Sequence, residues 1–458
     1  MTHDWKGKSV LVVGLGDTGI SSYRWLARQG ARLHAADTRA APPALGALRA
    51  EFPHARVSLG AFDEPLLAGV DAVVASPGVA LREPFLRSAI ARGVEVVGDV
   101  EILGRSLAAH ARGPRVIGVT GTNGKSTVTA LAAAMGEAAG MKSVAAGNIG
   151  LPVLDALSKF EDEGFPELLV LELSSYQLET TSSLALTAAA MLNLTQDHLD
   201  RYDSIADYGR AKERIFAHAR TRVVNRDDPA SLAMAGGAST LSFGLGVPQG
   251  GAEWGLDAAR ENLVHGGEKI IAARDMAMPG LHNAANGLAA HALATAVGLP
   301  PEPLARALAE FKGLPHRVQP VAHACGVTYY DDSKGTNVGA SVAALEGFTQ
   351  PVILIAGGDG KGQDFAPLAP AVKRHARAVV LIGRDAARIA LALSGTGIAI
   401  ERSATMEEAV VLASELAREG DAVLLSPACA SFDMFRNYGH RGEVFAAAAR
   451  RLAQSRDS

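Results

Sequence analysis

Short apolar runs, glycine turns and helical stretches alternate along most of this chain. From Ser9 to about Gly98 the runs "SVLVVG", "ARLHAAD", "ARVSLG", "DAVVASPG" and "VEVVGD" read as strands separated by helical segments. That alternation predicts a doubly wound parallel sheet. The stretch "DVEILGRSLAAHARG" predicts a helix that carries the chain out of this block. A second block opens at Arg115 with "PRVIGVTGTNGKSTVTALAAAM". It continues through "ELLVLELSS" and "AAAMLNLT" to the helical segments "LHNAANGLAAHALATAVG" and "EPLARALAEF". Residues 240 to 275, glycine-rich with short alternating runs, predict a small antiparallel excursion. A third block starts near Leu314 and repeats the parallel logic in "VTYYDDS", "PVILIAGG", "AVVLIG" and "DAVLLSPA". The expected fold class is α/β, with three consecutive domains: an N-terminal Rossmann-like domain over 1–105, a central P-loop ATPase-like domain over 106–313 and a C-terminal Rossmann-like domain over 314–458.

Composition narrows the function. At 458 residues the chain exceeds one ordinary core, and 48% hydrophobic with 20% charged residues describes a folded, soluble chain. Lysine and arginine total 44 against 48 acids, so no basic field exists to hold nucleic acid. Cys325 and Cys429 are the only cysteines, and the opening "MTHDWKGKSV" lacks the apolar segment of a signal peptide. No run reaches the roughly 18 apolar residues of a membrane span. A cytoplasmic protein with neither a membrane nor a nucleic-acid partner is expected.

Two glycine loops carry the candidate chemistry. Gly14, Gly16 and Gly19 follow an apolar run and open a helix, and Asp37 ends the next run. This is the dinucleotide fingerprint, and it poses a dehydrogenase as one reading. The second loop, "VIGVTGTNGKST", sets Gly121, Thr122, Asn123, Gly124, Lys125, Ser126 and Thr127 between a strand and a helix. Backbone N–H groups there face phosphate oxygens, the lysine neutralises the terminal phosphates and the next hydroxyl can ligate Mg²⁺. Val119 stands where the strict pattern has glycine, so the loop is a variant that implies ATP.

Carboxylates at strand ends come next, because ATP needs a metal. Glu172 ends a buried strand and reads equally as a structural acceptor or a Mg²⁺ ligand. "NLTQDHLDRY" adds Asp197, His198 and Asp200, and a lone histidine among polar residues is more often solvated than catalytic. "YYDDSKGTN" gathers Asp331, Asp332, Ser333, Lys334, Thr336 and Asn337, with Asp331 read as a solvated turn residue. Lys361 lies beyond a glycine-rich turn, and Arg317 at a block boundary reads as either a phosphate ligand or a surface charge. A nucleotide-binding switch that hydrolyses ATP slowly is a further reading of the same loops.

In order along the chain, "GLGDTG", "ASPG", "GDVEI", "GTNGKSTVT", "GNIGLP", "LELSSYQLETTSSL", "NLTQDHLDRY", "YGRAKERI", "HNAANGLAA", "LPHRV", "DDSKGTNVG", "GGDGKGQDF" and "SPACASFDMF" resemble the Mur ligases of peptidoglycan synthesis. The resemblance implies an ATP-dependent carbon–nitrogen ligase that passes through an acyl phosphate. Its substrates would be UDP-N-acetylmuramoyl-L-alanine and D-glutamate, and it would act as a monomer with two Mg²⁺ ions. A UDP-sugar, not NAD, would then occupy the first loop. Thr18, Asp37, Arg39, Ser76 and Gly78 match UDP-contacting positions, with Asn148, Ser174 and His198 on the muramoyl-peptide side. Asp17 stands where some relatives carry an apolar residue near the uracil.

The same resemblance assigns the remaining positions. Lys125, Ser126, Thr127, Glu172 and His198 match phosphate and metal positions. Lys212, which by itself reads as a solvated helix lysine, matches a lysine carbamylated by CO2 into a metal-binding carboxylate. Asn283, Asn286, Arg317 and Asp332 match ATP-side positions. Lys334, Thr336, Lys361, Ser431, Phe432 and Tyr438 match the region around the incoming amino acid.

Overall fold

The computed structural model describes residues 5–110, 113–236 and 239–456. Three sheets organise them. The first holds β1 (Ser9–Val13), β2 (Arg32–Asp37), β3 (Arg56–Leu59), β4 (Ala72–Ala75) and β5 (Glu95–Val97) in the order β3-β2-β1-β4-β5, all parallel. The order reverses at β1, and a doubly wound sheet binds its ligand outside the strand ends at such a point. Leu11, Val13, Ala36, Val73 and Ala75 pack there with Phe85 and Leu86 of the helix Pro84–Ala91.

The second sheet comprises β6 (Arg115–Thr120), β7 (Ser143–Gly147), β8 (Leu168–Glu172), β9 (Leu186–Met191), β10 (Ala219–Asn225), β11 (Thr240–Phe243), β12 (Glu253–Leu256), β13 (Asn262–His265) and β14 (Glu268–Ala272). Its order is β14-β13-β12-β11-β10-β9-β6-β8-β7. Residues 240 to 275 are thus antiparallel only in their outer part, and they extend the second sheet. β11 joins β10 in parallel, β12 joins β11 in parallel, and the sheet turns antiparallel only from β12 to β13. The short runs are strands of four or five residues that extend one flank of the second sheet, and periodicity alone cannot attach them to a particular sheet.

The third sheet is built from β15 (Gln319–Ala324), β16 (Val327–Asp331), β17 (Val352–Gly357), β18 (Ala376–Ile382), β19 (Ala399–Arg402) and β20 (Ala422–Leu425). Its order is β15-β16-β20-β17-β18-β19, parallel except for the β15–β16 pair. Both faces of its central strands are apolar. Val352, Leu354, Ala356 and Leu424 enter one core, while Ile353, Ile355, Val423 and Leu425 enter the other.

These sheets fall into two compact units. One contains the chain up to Asn193, Tyr208–Ile271 and Gly287–Ala309; the other contains Leu194–Asp207, Ala272–Asn286 and the chain from Glu310 onward. Within the first unit, two sheets are joined by buried polar contacts. Glu101, in the helix Asp99–Ala108, is 2% exposed and accepts the Ser182 and Ser183 N–H groups at 2.7 and 2.9 Å as well as Arg105 at 2.8 Å. The helix Asp17–Arg28 reaches the helix Val153–Glu163 through Arg28 to Asp162 and Trp25 to Glu161. The expected exit helix ends at Ala108, and the quoted stretch then enters residues 111 and 112, outside the described residues. Among the described residues no helix is long and apolar enough to cross a membrane.

Candidate active site

The chemistry of the first unit gathers at the C-terminal ends of β6, β8 and β9, adjacent strands of the second sheet. β6 ends at Thr120, the chain turns through Gly121–Gly124, and the helix Lys125–Ala138 begins. Gly121 has φ +150°, and a Cβ there would lie 2.9 Å from the Leu192 Cβ. Gly124 caps the helix at φ +83°. Only glycine takes both positions without strain, and the first helical N–H groups are left pointing outward for an anion.

The loop is held by Asn193, just beyond β9. Its carbonyl accepts the Thr122 N–H at 2.9 Å, its Oδ1 accepts the Asn123 N–H at 2.8 Å and its Nδ2 donates to the Asn123 carbonyl at 3.1 Å. Sequence reasoning passed over Asn193, although an asparagine ending a buried strand beside a phosphate loop was a usable signal. Lys125 curls back, its Nζ donating to the Gly121 and Thr122 carbonyls at 2.9 and 2.8 Å. Ser126 and Thr127, buried at 1% and 4% exposure, follow it into the helix.

Glu172, the last residue of β8, is 1% exposed. Its Oε1 accepts the Asn148 side chain at 2.8 Å, and Oε2 is buried with no hydrogen-bond partner. A buried carboxylate oxygen left open is costly unless a cation or donor completes it, so Glu172 together with the Ser126 and Thr127 hydroxyls fits a Mg²⁺ ion. Among the described residues no three His, Cys, Asp or Glu side chains converge. Mg²⁺ needs no such cage when phosphate oxygens and water complete its shell.

Lys212 corrects its sequence reading. It is 1% exposed, donates to the Gly121 carbonyl at 2.7 Å and lies 4.6 Å from the Tyr208 ring centroid. The inward face of the helix Ile205–Glu213 packs it against the phosphate loop, away from solvent. Ser174 caps the helix Ser175–Glu179 in a reciprocal capping box with Gln177.

At the edge of the first sheet, Ser76 donates to the Gly14 carbonyl at 2.8 Å, beside the turn that carries Gly78. Thr18 lies in the first turn of the helix that follows the glycines. Asp37, 2% exposed, accepts the Leu15 and Arg39 N–H groups at 2.7 and 2.9 Å. The Arg39 guanidinium also grips both carboxylate oxygens, at 2.8 and 2.6 Å. Burial works against ionisation, but Arg39 and the two amides hold the carboxyl down at about 2. In a dinucleotide site this carboxylate takes ribose hydroxyls; here its own arginine already occupies it.

In the second unit, His198 sits at φ +56° with its N–H on Asp197 at 2.9 Å, and its side chain is 32% exposed. Asp197 is buried and pairs with Lys361 at 2.5 Å, while Asn337 donates to its other oxygen at 3.3 Å. Asp331 is not a solvated turn residue. It ends β16 at 1% exposure, held by His316 at 2.6 Å and by the Ser333 N–H at 2.9 Å. Asp332 accepts the Ser426 hydroxyl at 2.7 Å, and burial pushes its carboxyl up to about 7 against the opposing pull of Ser426 and Arg317.

The remaining candidates of this unit differ widely in exposure. Arg317 is half-buried, and Asn283 and Asn286 lie in the first turns of the helix Leu281–Ala296, bonded to each other at 3.4 Å. Lys334 lies 5.1 Å from the Tyr438 ring centroid, and Thr336 follows it, its N–H on the Lys334 carbonyl. Ser431 is buried, whereas the neighbouring Phe432 is 76% exposed.

A parallel-sheet unit with a phosphate loop, an open carboxylate and a basic loop set elsewhere defines the class of nucleotide-dependent α/β enzymes. Three family models match in sequence: the MurD-like N-terminal domain of Mur ligases at 8–98, the Mur ligase middle domain at 119–294 and the Mur ligase glutamate ligase domain at 316–429. The UDP-N-acetylmuramoylalanine–D-glutamate ligase of Methylobacillus flagellatus is 56% identical over 96% of both chains. That of Thiobacillus denitrificans is 53% identical over 98% of both. In fold, the UDP-N-acetylmuramate–alanine ligase of Thermotoga maritima aligns with a TM-score of 0.60 at 19% identity, covering 98% of this chain and 99% of that one. The chain belongs to the Mur ligase family.

Proposed function

We propose that this enzyme joins D-glutamate to UDP-N-acetylmuramoyl-L-alanine with ATP, in the synthesis of peptidoglycan precursors. The observation that carries the reading is the Asn193-pinned loop Gly121–Thr127 beside the open Glu172 oxygen, in a chain 56% identical to a ligase named for that reaction. The domain covering 1–105 holds the UDP-sugar through Thr18, Asp37, Arg39, Ser76 and Gly78. The domain over 106–313 holds ATP, and that over 314–458 the amino acid through Lys334, Thr336, Lys361, Ser431, Phe432 and Tyr438. The enzyme works in the cytoplasm as a monomer.

The alanyl carboxylate attacks the γ-phosphorus of ATP, giving an acyl phosphate and ADP. The amine of D-glutamate then attacks the acyl carbon, and phosphate leaves from a tetrahedral intermediate. Lys125 moves its ammonium from its loop carbonyls onto the phosphate oxygens, and the loop N–H groups hold the same oxygens in line. Glu172, Ser126 and Thr127 are the residues that would hold Mg²⁺, whose charge offsets the repulsion between carboxylate and triphosphate. Arg317, Asn283, Asn286 and Asp332 orient ATP, and Asn148, Ser174 and His198 orient the muramoyl peptide. Lys212, carbamylated by CO2, exchanges an ammonium for a carboxylate and joins the metal-binding group.

Phosphate release with ATP, Mg²⁺ and UDP-N-acetylmuramoyl-L-alanine, compared among D-glutamate, L-glutamate, L-alanine and meso-diaminopimelate, tests this reading. Release with D-glutamate alone is expected; release with another amino acid would transfer the chain to a sibling specificity.

A further inference from the structure

Arg441 is a side chain of the second unit whose chemistry the reaction leaves unused and whose burial demands a reason. It lies in the first turn of the helix Tyr438–Arg456 and is 0% exposed. All three guanidinium nitrogens are engaged: Nε donates to the Ser333 hydroxyl at 2.9 Å, Nη2 to the Ser333 carbonyl at 2.7 Å and Nη1 to the Cys429 carbonyl at 3.1 Å. None of these acceptors is a carboxylate. A buried guanidinium bound to neutral oxygens keeps much of its desolvation cost, and burial draws its pKa down to about 10. A neutral apolar side chain would fill the same volume without that cost.

The attachment points are informative. Ser333 directly precedes Lys334, Cys429 lies two residues before Ser431, and the Ser333 hydroxyl also donates to the Tyr438 carbonyl at 2.7 Å. One side chain thus fixes the spacing of three stretches: the loop after β16, the loop after β20 and the start of the last helix. The neighbouring glycine sets how deep the arginine reaches. A Cβ at Gly442 would lie 2.5 Å from Asp331 Oδ2 and would also strike the His316 ring bonded to it. Glycine lets the helix backbone press onto that pair and carries the guanidinium between the loops.

We propose that Arg441 is a positioning residue for the incoming amino acid, setting the distance between the Lys334–Thr336 and Ser431–Phe432 segments. The inference rests on the ligase reading above, because that reading places the amino acid among those residues. Arg441 itself touches no substrate and acts through the two loops.

The test uses the full chain as wild type, Arg441→Ala, Arg441→Lys and Ser333→Ala. KM is measured for each of the three substrates, and the acyl phosphate is trapped with hydroxylamine in the absence of amino acid. Losing the fork should raise KM for D-glutamate about tenfold in Arg441→Ala, as expected for two or three hydrogen bonds. KM for ATP and for the UDP-substrate should stay within about twofold, hydroxamate should still form, and millimolar guanidinium should restore part of the lost affinity. Arg441→Lys should fall between wild type and alanine, because an ammonium cannot span both loops.

If Arg441→Ala does not fold, Ser333→Ala should still raise the D-glutamate KM about threefold, since it removes one of the three Arg441 bonds together with the hydroxyl's own bond to the Tyr438 carbonyl. A rise of all three KM values together, or an unchanged D-glutamate KM in a folded Arg441 variant, overturns the proposal. If the wild type turns over a different amino acid, the specificity reading fails alone, and the same split read on that amino acid decides the role of Arg441. Turnover with none of the amino acids overturns both.

Discussion

The two glycine loops of the first unit share a plan, a buried parallel strand turning through glycine into a helix, and differ in where their charge goes. At the first, the acid at the end of β2 is gripped by Arg39 through both oxygens, so charge is neutralised within the protein. At the second, Lys125 rests on the carbonyls of its own loop, acceptors that a phosphate outcompetes. The glycines state where the backbone must bend. The same fingerprint therefore fits any pyrophosphate ligand by pattern, and the Asp37–Arg39 pair does not by itself choose among them.

The sharpest way to break this contrast is Lys125→Ala. It should lower ADP formation by on the order of 10²–10³-fold with the fold intact, and a rate near wild type would remove the loop from the mechanism. Asn193→Ala tests the pinning. Losing the two side-chain contacts to Asn123 should raise KM for ATP about tenfold, with KM for D-glutamate unchanged, in steady-state assays that vary one substrate at a time.

Arg39→Ala should do the reverse, raising KM for the UDP-substrate several-fold while leaving that for ATP alone; equal effects on both would show that the loops do not act separately. The smallest effects should appear in pH-dependent stability, followed by urea unfolding. Asp37 is held down at about 2, below its unfolded value, so its contribution is present above about pH 4 and is lost as pH falls towards 2. Asp332 has the opposite sign. With its carboxyl raised to about 7, its contribution is full below about pH 4 and is lost as pH rises through 7. Asp37→Asn should flatten the acid limb and Asp332→Asn the neutral one.

The sequence made the α/β class legible because buried parallel strands are continuous apolar runs, as in β1, β8, β17 and β20. It also exposed the residues whose chemistry is local, since Gly121, Gly124 and Lys125 act through a loop only a few residues long. What stayed hidden depends on distant partners. Lys212 reads as a surface helix lysine until the helix is docked against the Gly121 carbonyl. Asp331 reads as a turn until His316, fifteen residues earlier, closes on it. Arg441 reads as one more arginine of a basic terminal helix, and nothing nearby in the chain reveals that Ser333 is 108 residues away in sequence and in contact. The attachment of β11 to β14 to the second sheet stayed hidden for a related reason: their sheet is chosen by tertiary packing, not by their own pattern.

The order of strands in the third sheet also governs how the protein is made. β20 lies between β16 and β17, so both strands lack this shared neighbour until Leu425 has left the ribosome. From the end of β17 at Gly357 until β20 is complete at Leu425, the nascent chain carries two apolar strand edges with unpaired backbone groups, the form most open to pairing with another chain. Chaperone demand and aggregation should therefore concentrate in the interval between synthesis of β17 and of β20, while the first unit's opening sheet is already complete.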